Sequence, residues 1–333
     1  MSYFLYAETA FHHEGDIDYM IGLVDLAKSS GADGIKFQVL LDYDSLIARS
    51  NPGYDDFKRA MFSKEHWRQI IEHARELGLK IVFMPCDLES IELVKEGYFK
   101  VDFLDLHSVS FYDSDVNRRI KESNVPLILG VGGRTLDEMK EKLAYYGEQL
   151  WCFMVGFQAF PTNLEDVNLE KIAMMKGIFS QRIGYADHSH FDSDDAVASN
   201  LRAFNYGARV FEKHLTLTEG EERFDHIASV GEEKFEKIRD LLDSASESQT
   251  PALPLDEASF ELSEPELDYR YRQKIAVPTK DLSAGTLVDE NMIAFKMCGN
   301  VDGITDLSGL VGKRLKSDVK YDHPILKSDL ENA

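Results

Sequence analysis

The chain has 333 residues, a net charge of −22 at pH 7 and a hydrophobic content of 44%. This length allows one large domain and a small second one, each with a buried core. The negative charge argues against a nucleic-acid partner, which would require a basic surface. Neither a signal-peptide pattern nor a run of about 18 apolar residues is present, so no membrane association is expected. The 3 cysteines form no CxxC pair and predict reduced thiols in a cytoplasmic protein.

Short apolar runs alternate with amphipathic stretches along most of the chain. The apolar runs predict eight buried strands, at residues 3–7, 34–37, 80–84, 103–106, 126–129, 151–155, 182–185 and 208–211. The repeat of about 25 to 35 residues is typical of a strand followed by its crossover helix, and the eighth helix is predicted at residues 232–244. Eight such units predict an α/β fold of the (β/α)8 TIM-barrel type. A doubly wound open sheet is the alternative, but the first strand–helix turn lacks a G-x-G-x-x-G motif.

The composition changes after the eighth predicted helix. Residues 247–269 are polar, contain three prolines and become strongly acidic, which is typical of a surface linker between domains. Residues 270–333 are too few for another barrel unit and carry frequent turn signals, so they predict a compact β-rich module. The sequence therefore predicts a barrel at residues 1–246, an acidic linker at 247–269 and a small second domain at 270–333.

Two histidines, His188 and His214, each follow a short apolar run that predicts a parallel strand. Imidazoles at the carboxyl ends of consecutive strands can converge on one metal ion. The carboxylates of Glu8 and Asp225 are candidates to complete the coordination. The alternative is that each histidine only caps its strand and bonds to backbone, and the presence of two in this setting favours the metal.

Active sites of TIM barrels lie at the carboxyl ends of the strands. Residues predicted at those ends are therefore candidates for the site: Glu8, Lys36, Gln38, Asp87, His107, Ser108, Gln158, His188 and His214.

Several motifs occur in one order along the chain. They are A-E-T-A-F-H-H-E-G-D at residues 7–16, A-K-S-S-G-A-D-G-I-K-F-Q at 27–38, F-P-T-N-L-E-D-V-N-L at 160–169, G-Y-A-D-H at 184–188 and E-K-H-L-T-L at 212–217. Residues 283–292 and 309–313 add two further signatures in the last module. Together these motifs resemble the sialic acid synthase family, in which a TIM barrel is followed by a small antifreeze-like domain, the SAF domain.

The resemblance implies a metal-dependent condensation of phosphoenolpyruvate (PEP) with an N-acyl hexosamine of the mannosamine type, giving a nonulosonic acid and phosphate. His188 and His214 are then expected to bind a divalent metal, Mn²⁺ or Mg²⁺, although two histidines also suit Zn²⁺. Glu8, Glu212 and Asp225 are expected to be catalytic residues. The family also implies a homodimer in which each SAF domain closes over the partner's active site.

For the substrate side, the resemblance implies that Lys36 holds the PEP carboxylate or phosphate, helped by Gln38 and Ser108. Gln158 follows Phe157 where the family has a polar run, which reshapes the sugar side of the pocket. The phosphate cradle departs most from the family pattern. Asp105 stands where the family has a lysine, and a carboxylate beside a phosphate gives repulsion.

Other family positions also differ, at Met84, Ala186, Met297 and the Gly130-Val131-Gly132 segment. The glycine-rich turn can still offer backbone N–H groups to an anion. Arg134, directly after it, is a candidate replacement for the missing lysine; the alternative is a solvated residue at a helix start. Three functions follow as hypotheses: a PEP-dependent synthase of a nonulosonic acid, a metal-dependent sugar-acid aldolase or lyase, and a catalytically silent sugar-binding subunit.

Overall fold

The structure is a computed structural model that describes residues 3–157, 159–245, 253–270, 272–299 and 302–332. Eight parallel strands form a closed barrel in sequence order, with β1 paired to both β2 and β8. The strands are β1 Phe4–Glu8, β2 Gly34–Val39, β3 Lys80–Pro85, β4 Phe103–Leu106, β5 Leu127–Gly130, β6 Leu150–Val155, β7 Arg182–Asp187 and β8 Val210–Leu215. A short β9, Ser229–Val230, pairs with the end of β8. The predicted (β/α)8 barrel is confirmed.

Helices surround the barrel, and several begin at residues with capping side chains. They are α1 Ile17–Ser29, α2 Tyr43–Leu46, α3 Tyr54–Arg59, α4 Lys64–Glu76, α5 Leu88–Lys95, α6 Ser114–Ser123, α7 Leu136–Tyr146, α8 Leu164–Val167, α9 Glu170–Ile178, α10 Asp195–Tyr206, α11 Glu232–Ser244 and α12 Glu264–Arg270. The carboxylates of Asp16 and Asp113 accept hydrogen bonds from the first turns of α1 and α6. Thr135 and Glu138 form a capping box on α7. Such caps satisfy N–H groups that have no partner within the helix.

The alternation of side chains along the strands separates the core from the site. One face of each strand packs against the helices and forms the main apolar core. The other face points into the barrel, where Tyr6, Val82, Ile128, Cys152, Met154, Ala186 and Val210 form a second apolar cluster. Above this cluster the inward-facing residues become polar. On β8, Glu212 and His214 therefore face the barrel interior, while Lys213 faces the other side and pairs with Asp187 at 3.2 Å.

The C-terminal residues form a small module with its own core. Its strands are β10 Ile275–Pro278, β11 Ile293–Lys296, β12 Lys313–Leu315 and β13 Leu330–Asn332, paired as two antiparallel hairpin-like sheets. Met297, directly after β11, exchanges backbone hydrogen bonds of 2.9 and 3.0 Å with Leu46 and Ala48 of the barrel. The backbone N–H of Arg49 donates to Asp322 of the module. The module therefore sits on the barrel mouth of its own chain.

The range predicted as an acidic linker contains ordered structure where the chain is described. A 3-10 turn at Glu257–Phe260 precedes helix α12. Glu266 and Tyr269 on this helix are only 2% and 5% exposed.

Further 3-10 turns lie at Ser108–Ser110, Gly147–Gln149, His226–Ala228, Glu290–Met292, Leu307–Gly309 and Lys327–Asp329. Among the described residues no helix combines the length and apolar content needed to cross a bilayer. Cys86, Cys152 and Cys298 are buried free thiols.

Candidate active site

A cavity of about 250 Å³ opens at the carboxyl ends of the barrel strands. Barrel strands supply half of its polar residues, and loops, helix α12 and the C-terminal module also contribute to its lining. The lining includes Glu8, Lys36, Gln38, Met84, Asp105, His107, Ser108, Gly130, Met154, Phe157, Ala186, His188, Glu212, His214, Asp225, Tyr269, Arg272 and Met297. The cavity is therefore where the barrel fold places an active site.

His188, Glu212 and His214 form the candidate metal centre. Their ligand atoms all lie within 4.8 Å of one another, and all three residues are buried. Nε2 of His188 lies 3.2 Å from Nε2 of His214 and 4.0 Å from Oε1 of Glu212. The sequence analysis expected both histidines as ligands and gave Glu212 a catalytic role. The structure places the Glu212 carboxylate beside both rings, so it is a third potential ligand.

The hydrogen bonds and burial of the histidines favour metal binding. Nδ1 of His188 lies 3.0 Å from the carbonyl oxygen of Ala186, which can only accept, so this nitrogen carries the proton. Nε2 of His188 therefore presents a lone pair to the centre. Burial lowers the pKa of His188 to about 4, and burial together with His188 lowers that of His214 well below its usual value. Two neutral imidazoles and a carboxylate suit a divalent cation.

Lys36 is surrounded by three buried carboxylates. Its Nζ lies 3.1 Å from Glu8, 2.9 Å from Asp105 and 3.0 Å from Glu212. Burial alone would lower the pKa of Lys36, but the three carboxylates outweigh it and raise that pKa well above its usual value. One ammonium thus balances three acidic groups. The lysine that was expected to hold PEP is already engaged by side chains of the protein.

The pKa values of the three carboxylates around Lys36 are shifted in different ways. Burial, with Glu212 adding to it and Lys36 opposing it, raises the pKa of Glu8 to about 8. Burial also raises the pKa of Asp105, again opposed by Lys36. For Glu212 burial acts in the same direction, but Lys36 and His188 outweigh it and lower the pKa. Glu8 is therefore the acid of this cluster that holds its proton near neutral pH.

The other residues that were expected to bind substrate do not all line the cavity. Gln38 lines the cavity and its Nε2 donates to Oε1 of Glu8 at 2.9 Å. Ser108 lines it too, and its hydroxyl is hydrogen bonded to the Tyr269 hydroxyl. Arg134 is not among the described residues that line the cavity: it is buried, with Nη2 donating to the Ser108 carbonyl at 2.9 Å and its guanidinium over the Phe111 ring. Gln158 lies outside the described residues.

Asp225 lines the cavity in a left-handed backbone conformation, with φ of 59°. Burial raises the pKa of its carboxyl to about 6, and Arg272 opposes that shift.

The carboxylate of Asp87 stabilises the local backbone, because it accepts hydrogen bonds from the backbone N–H groups of Leu41 and Ser90. His107 lines the cavity, and its Nδ1 accepts from the N–H of Val109 at 3.1 Å.

Much of the cavity lining is apolar or aromatic, and this part was incompletely foreseen. It includes Met84, Gly130, Met154, Phe157, Ala186 and Tyr269. Tyr269 packs edge-on against Phe157 with ring centroids 4.5 Å apart. Sequence analysis missed Tyr269 and Arg272 because both fall where a linker gives way to a separate domain. The signal that could have found them is the D-Y-R-Y-R run at residues 268–272, whose aromatic and basic residues interrupt an acidic segment.

Known proteins resemble the chain over its whole length. It is 28% identical to an uncharacterized protein of Methanocaldococcus jannaschii, covering 98% of this chain and 94% of that one. It is 27% identical to human N-acetylneuraminate-9-phosphate synthase, covering 99% and 93%. It is 26% identical to a pseudaminic acid synthase of Campylobacter jejuni, covering 98% and 96%.

Among solved structures, the spore coat polysaccharide biosynthesis protein SpsE of Bacillus subtilis shares the fold, with a TM-score of 0.79, 22% identity and coverage of 100% of this chain and 96% of that one. A family model described as the SAF domain matches residues 273–331. A second, described as the NeuB family, matches residues 23–251, which is more than half of the chain. The chain therefore belongs to the NeuB family, with a SAF domain at its C-terminal end.

Proposed function

We propose that the protein condenses phosphoenolpyruvate with an N-acyl hexosamine of the mannosamine type to form a nonulosonic acid and phosphate. The observation that carries this proposal is the buried centre of His188, Glu212 and His214 at the wall of the cavity. Relatives that share the whole length of the chain are named as synthases of N-acetylneuraminate 9-phosphate and of pseudaminic acid. Their similar identities of 27% and 26% give no preference between these two kinds of acyl sugar.

In this reaction C3 of PEP attacks the aldehyde carbon of the open-chain sugar, water adds at C2 and phosphate leaves. A divalent ion held by His188, Glu212 and His214, such as Mn²⁺ or Mg²⁺, would polarise the aldehyde oxygen and stabilise its developing negative charge. Glu8 holds a proton near neutral pH and is placed to deliver it within the cavity. Asp225 is placed to accept hydrogen bonds from sugar hydroxyls.

A second function is favoured by one specific observation, the engagement of Lys36 by Asp105. A carboxylate in contact with the expected PEP lysine weakens the attraction for a substrate that carries both a carboxylate and a phosphate. Without phosphate transfer, the same centre can serve a sugar-acid aldolase or lyase. In that reaction the C4 hydroxyl loses its proton and becomes the aldehyde of the N-acyl sugar, the C3–C4 bond of the nonulosonic acid breaks, and C3 takes up a proton to give pyruvate.

Calorimetry with PEP, in the presence and absence of Mn²⁺, tests the leading proposal. Metal-dependent binding is expected, followed by phosphate release when N-acyl hexosamines are added. His188→Gln should lose both, whereas His190→Gln, an exposed histidine two residues away, should keep them. Absence of PEP binding at millimolar concentration, together with pyruvate release from N-acetylneuraminate, would replace the synthase with the lyase.

A further inference from the structure

Helix α12 places a carboxylate on the glycine-rich turn that follows strand β5. The backbone N–H of Gly133 donates to Oε1 of Glu266 at 3.3 Å. Nζ of Lys171 lies 3.8 Å from the same oxygen. The second carboxylate oxygen accepts from the backbone N–H of Ser263 at 2.9 Å. Glu266 is only 2% exposed, so this is an enclosed anion position occupied by a side chain of the protein itself.

The turn is built for close approach of an anion to backbone. Gly133 has a φ of +65°, which disfavours other residues, and a Cβ there would lie 3.2 Å from the carbonyl oxygen of Glu266. A Cβ at Gly132 would lie 1.6 Å from the carbonyl oxygen of Phe157. Side chains are thus excluded from the turn. Backbone N–H groups of a glycine-rich turn, next to an ammonium, form a recurrent binding site for phosphate and carboxylate groups.

Further donors next to this position are either held by α12 or lack a partner. The hydroxyl of Ser108 is bonded to Tyr269 on the same helix. Nη2 of Arg134 donates to the Ser108 carbonyl, while its Nε and Nη1 are buried and have no hydrogen-bond partner in the part of the chain that the structure describes. Arg134 is 2% exposed. Donors without acceptors inside a protein cost free energy, and an anion that supplies acceptor oxygens would relieve that cost.

We infer that this position is a phosphate site and that Glu266 holds the place of the phosphate group when no substrate is bound. Gly133, Lys171 and Ser108 would bind the phosphate of an enol phosphate ester, and this ligand class rests on the proposed function. The site compensates for the family lysine that is replaced by Asp105. Glu266 and a phosphate compete, because both would occupy the same position beside the Gly133 N–H group and two anions there repel each other.

Replacement of the Glu266 carboxylate by a phosphate requires only that the Glu266 side chain moves away. Arg270, at the carboxyl end of α12, donates to both oxygens of Glu138 at 2.8 and 2.9 Å and to the carbonyl of Gly133 at 2.7 Å. This contact is independent of Glu266, so the helix stays fastened to the barrel when the Glu266 side chain leaves. The phosphate site therefore remains covered after the exchange.

The test is calorimetric titration of the full-length protein with inorganic phosphate. Glu266→Gln removes the competing charge and should tighten phosphate binding by at least about tenfold relative to the unmodified chain. Glu264→Gln, an exposed change on the same helix, should leave the affinity unchanged. Adding Lys171→Met to Glu266→Gln should abolish the gain. Glu266→Asp, which withdraws the carboxylate from Gly133, replaces the amide variant if circular dichroism shows that the latter does not fold.

Equal phosphate affinity in the unmodified and Glu266-substituted proteins would overturn the inference, as would a gain that survives Lys171→Met. Turnover of PEP is measured separately. Phosphate binding that depends on Glu266 and Lys171 without any turnover leaves this inference standing and rejects the synthase reaction. Turnover of PEP that does not change when Glu266 or Lys171 is replaced supports the synthase reaction and rejects this inference.

Discussion

Lys36 and Asp105 form a buried ion pair in the barrel interior, with Nζ and Oδ2 2.9 Å apart. Both residues lie on strands, Lys36 on β2 and Asp105 on β4, and both line the cavity. Asp105 stands where the family resemblance leads one to expect a second lysine. The aspartate therefore has two effects. It removes one cation from the site, and its carboxylate pairs with the cation that remains, Lys36. This pair is the main physical difference between the site of this protein and a site made to hold PEP.

Replacing Asp105 with Asn should restore affinity for an anionic substrate. Lys36 would still be balanced by the Glu212 carboxylate, while Glu8 holds its proton near neutral pH, so removal of the Asp105 carboxylate lowers the excess negative charge of the cavity. We expect PEP to bind at least about tenfold more tightly to the variant in the presence of Mn²⁺, measured by calorimetry. Loss of a pyruvate-releasing activity in the same variant would instead support the lyase.

The matched control is Asp113→Asn. Asp113 pairs with Lys274 at 3.1 Å and both residues are buried, but neither is among the described residues that line the cavity. Asn retains the helix-capping ability of Asp, but Lys274 loses its buried carboxylate partner, so circular dichroism is used to establish that the control variant folds. An equal gain in PEP affinity from this control would show that global charge, and not the pair with Lys36, determines binding.

Metal binding should depend on His188, Glu212 and His214 together. Replacing any one of them with Gln is expected to weaken Mn²⁺ binding by about a hundredfold or more, because a three-ligand site cannot be completed by a neutral amide. The measurement is a titration with Mn²⁺ that is monitored by calorimetry, and the metal-induced rise in melting temperature is a second readout. Glu8→Gln serves as a comparison inside the cavity. If Glu212→Gln keeps full affinity, the carboxylate is not a ligand and acts only through Lys36.

The barrel could be predicted from sequence because its strands are buried on both faces and read as separate apolar runs. The run at 103–106 coincides with β4, and the helix at 232–244 coincides with α11. Differences lie mostly at carboxyl ends, where β2, β7 and β8 extend to Val39, Asp187 and Leu215. These extensions contain polar side chains, at Gln38 on β2, Asp187 on β7 and residues 212–214 on β8. An apolar pattern therefore ends before the hydrogen-bonded strand does.

The site was predictable only in part, for a different physical reason. His188 and His214 could be paired because consecutive strands bring their carboxyl ends together. The contact between Lys36 and Asp105 joins strands that are not neighbours, so it depends on the closure and radius of the barrel. Tyr269 and Glu266 could not be placed at all. Their positions follow from the docking of helix α12, which no local pattern specifies.

The assembly state remains a prediction. The family implies a domain-swapped homodimer, whereas the C-terminal module here contacts the barrel of its own chain through Met297 and Asp322. We expect a dimer in light scattering at micromolar concentration. A swapped arrangement would use the same contacts between subunits, so a mixture of His188→Gln chains with Met297→Asp chains should recover PEP turnover that neither shows alone. A monomer that is fully active would reject the swapped dimer.

Two buried histidines, His12 and His13, and the half-buried His107 should make the fold sensitive to acid. Burial lowers the pKa of His12, His13 and His107 to about 3 in each case. The unfolded chain, with an ordinary histidine pKa of about 6.5, therefore binds more protons than the folded chain between pH 3 and 6.5. The free energy of unfolding must fall as pH decreases through this window. Each group contributes up to about 1.4 kcal/mol per pH unit.

His13 offers the clearest measurement of this effect. Its ring stacks on Phe62 with centroids 4.3 Å apart and meets Trp67 edge-on, so Phe can replace it within the same apolar contacts. The replacement loses the hydrogen bond from the N–H of Gly15 to Nδ1 and should lower stability at pH 7 by about 1 kcal/mol. It should also reduce the slope of unfolding free energy against pH between pH 4 and 6 by about 1.4 kcal/mol per unit, measured by urea denaturation. His66→Gln, an exposed change on α4, should leave that slope as it is. A slope unchanged by His13→Phe would mean that the His13 ring becomes protonated in the folded protein, and that acid sensitivity arises elsewhere.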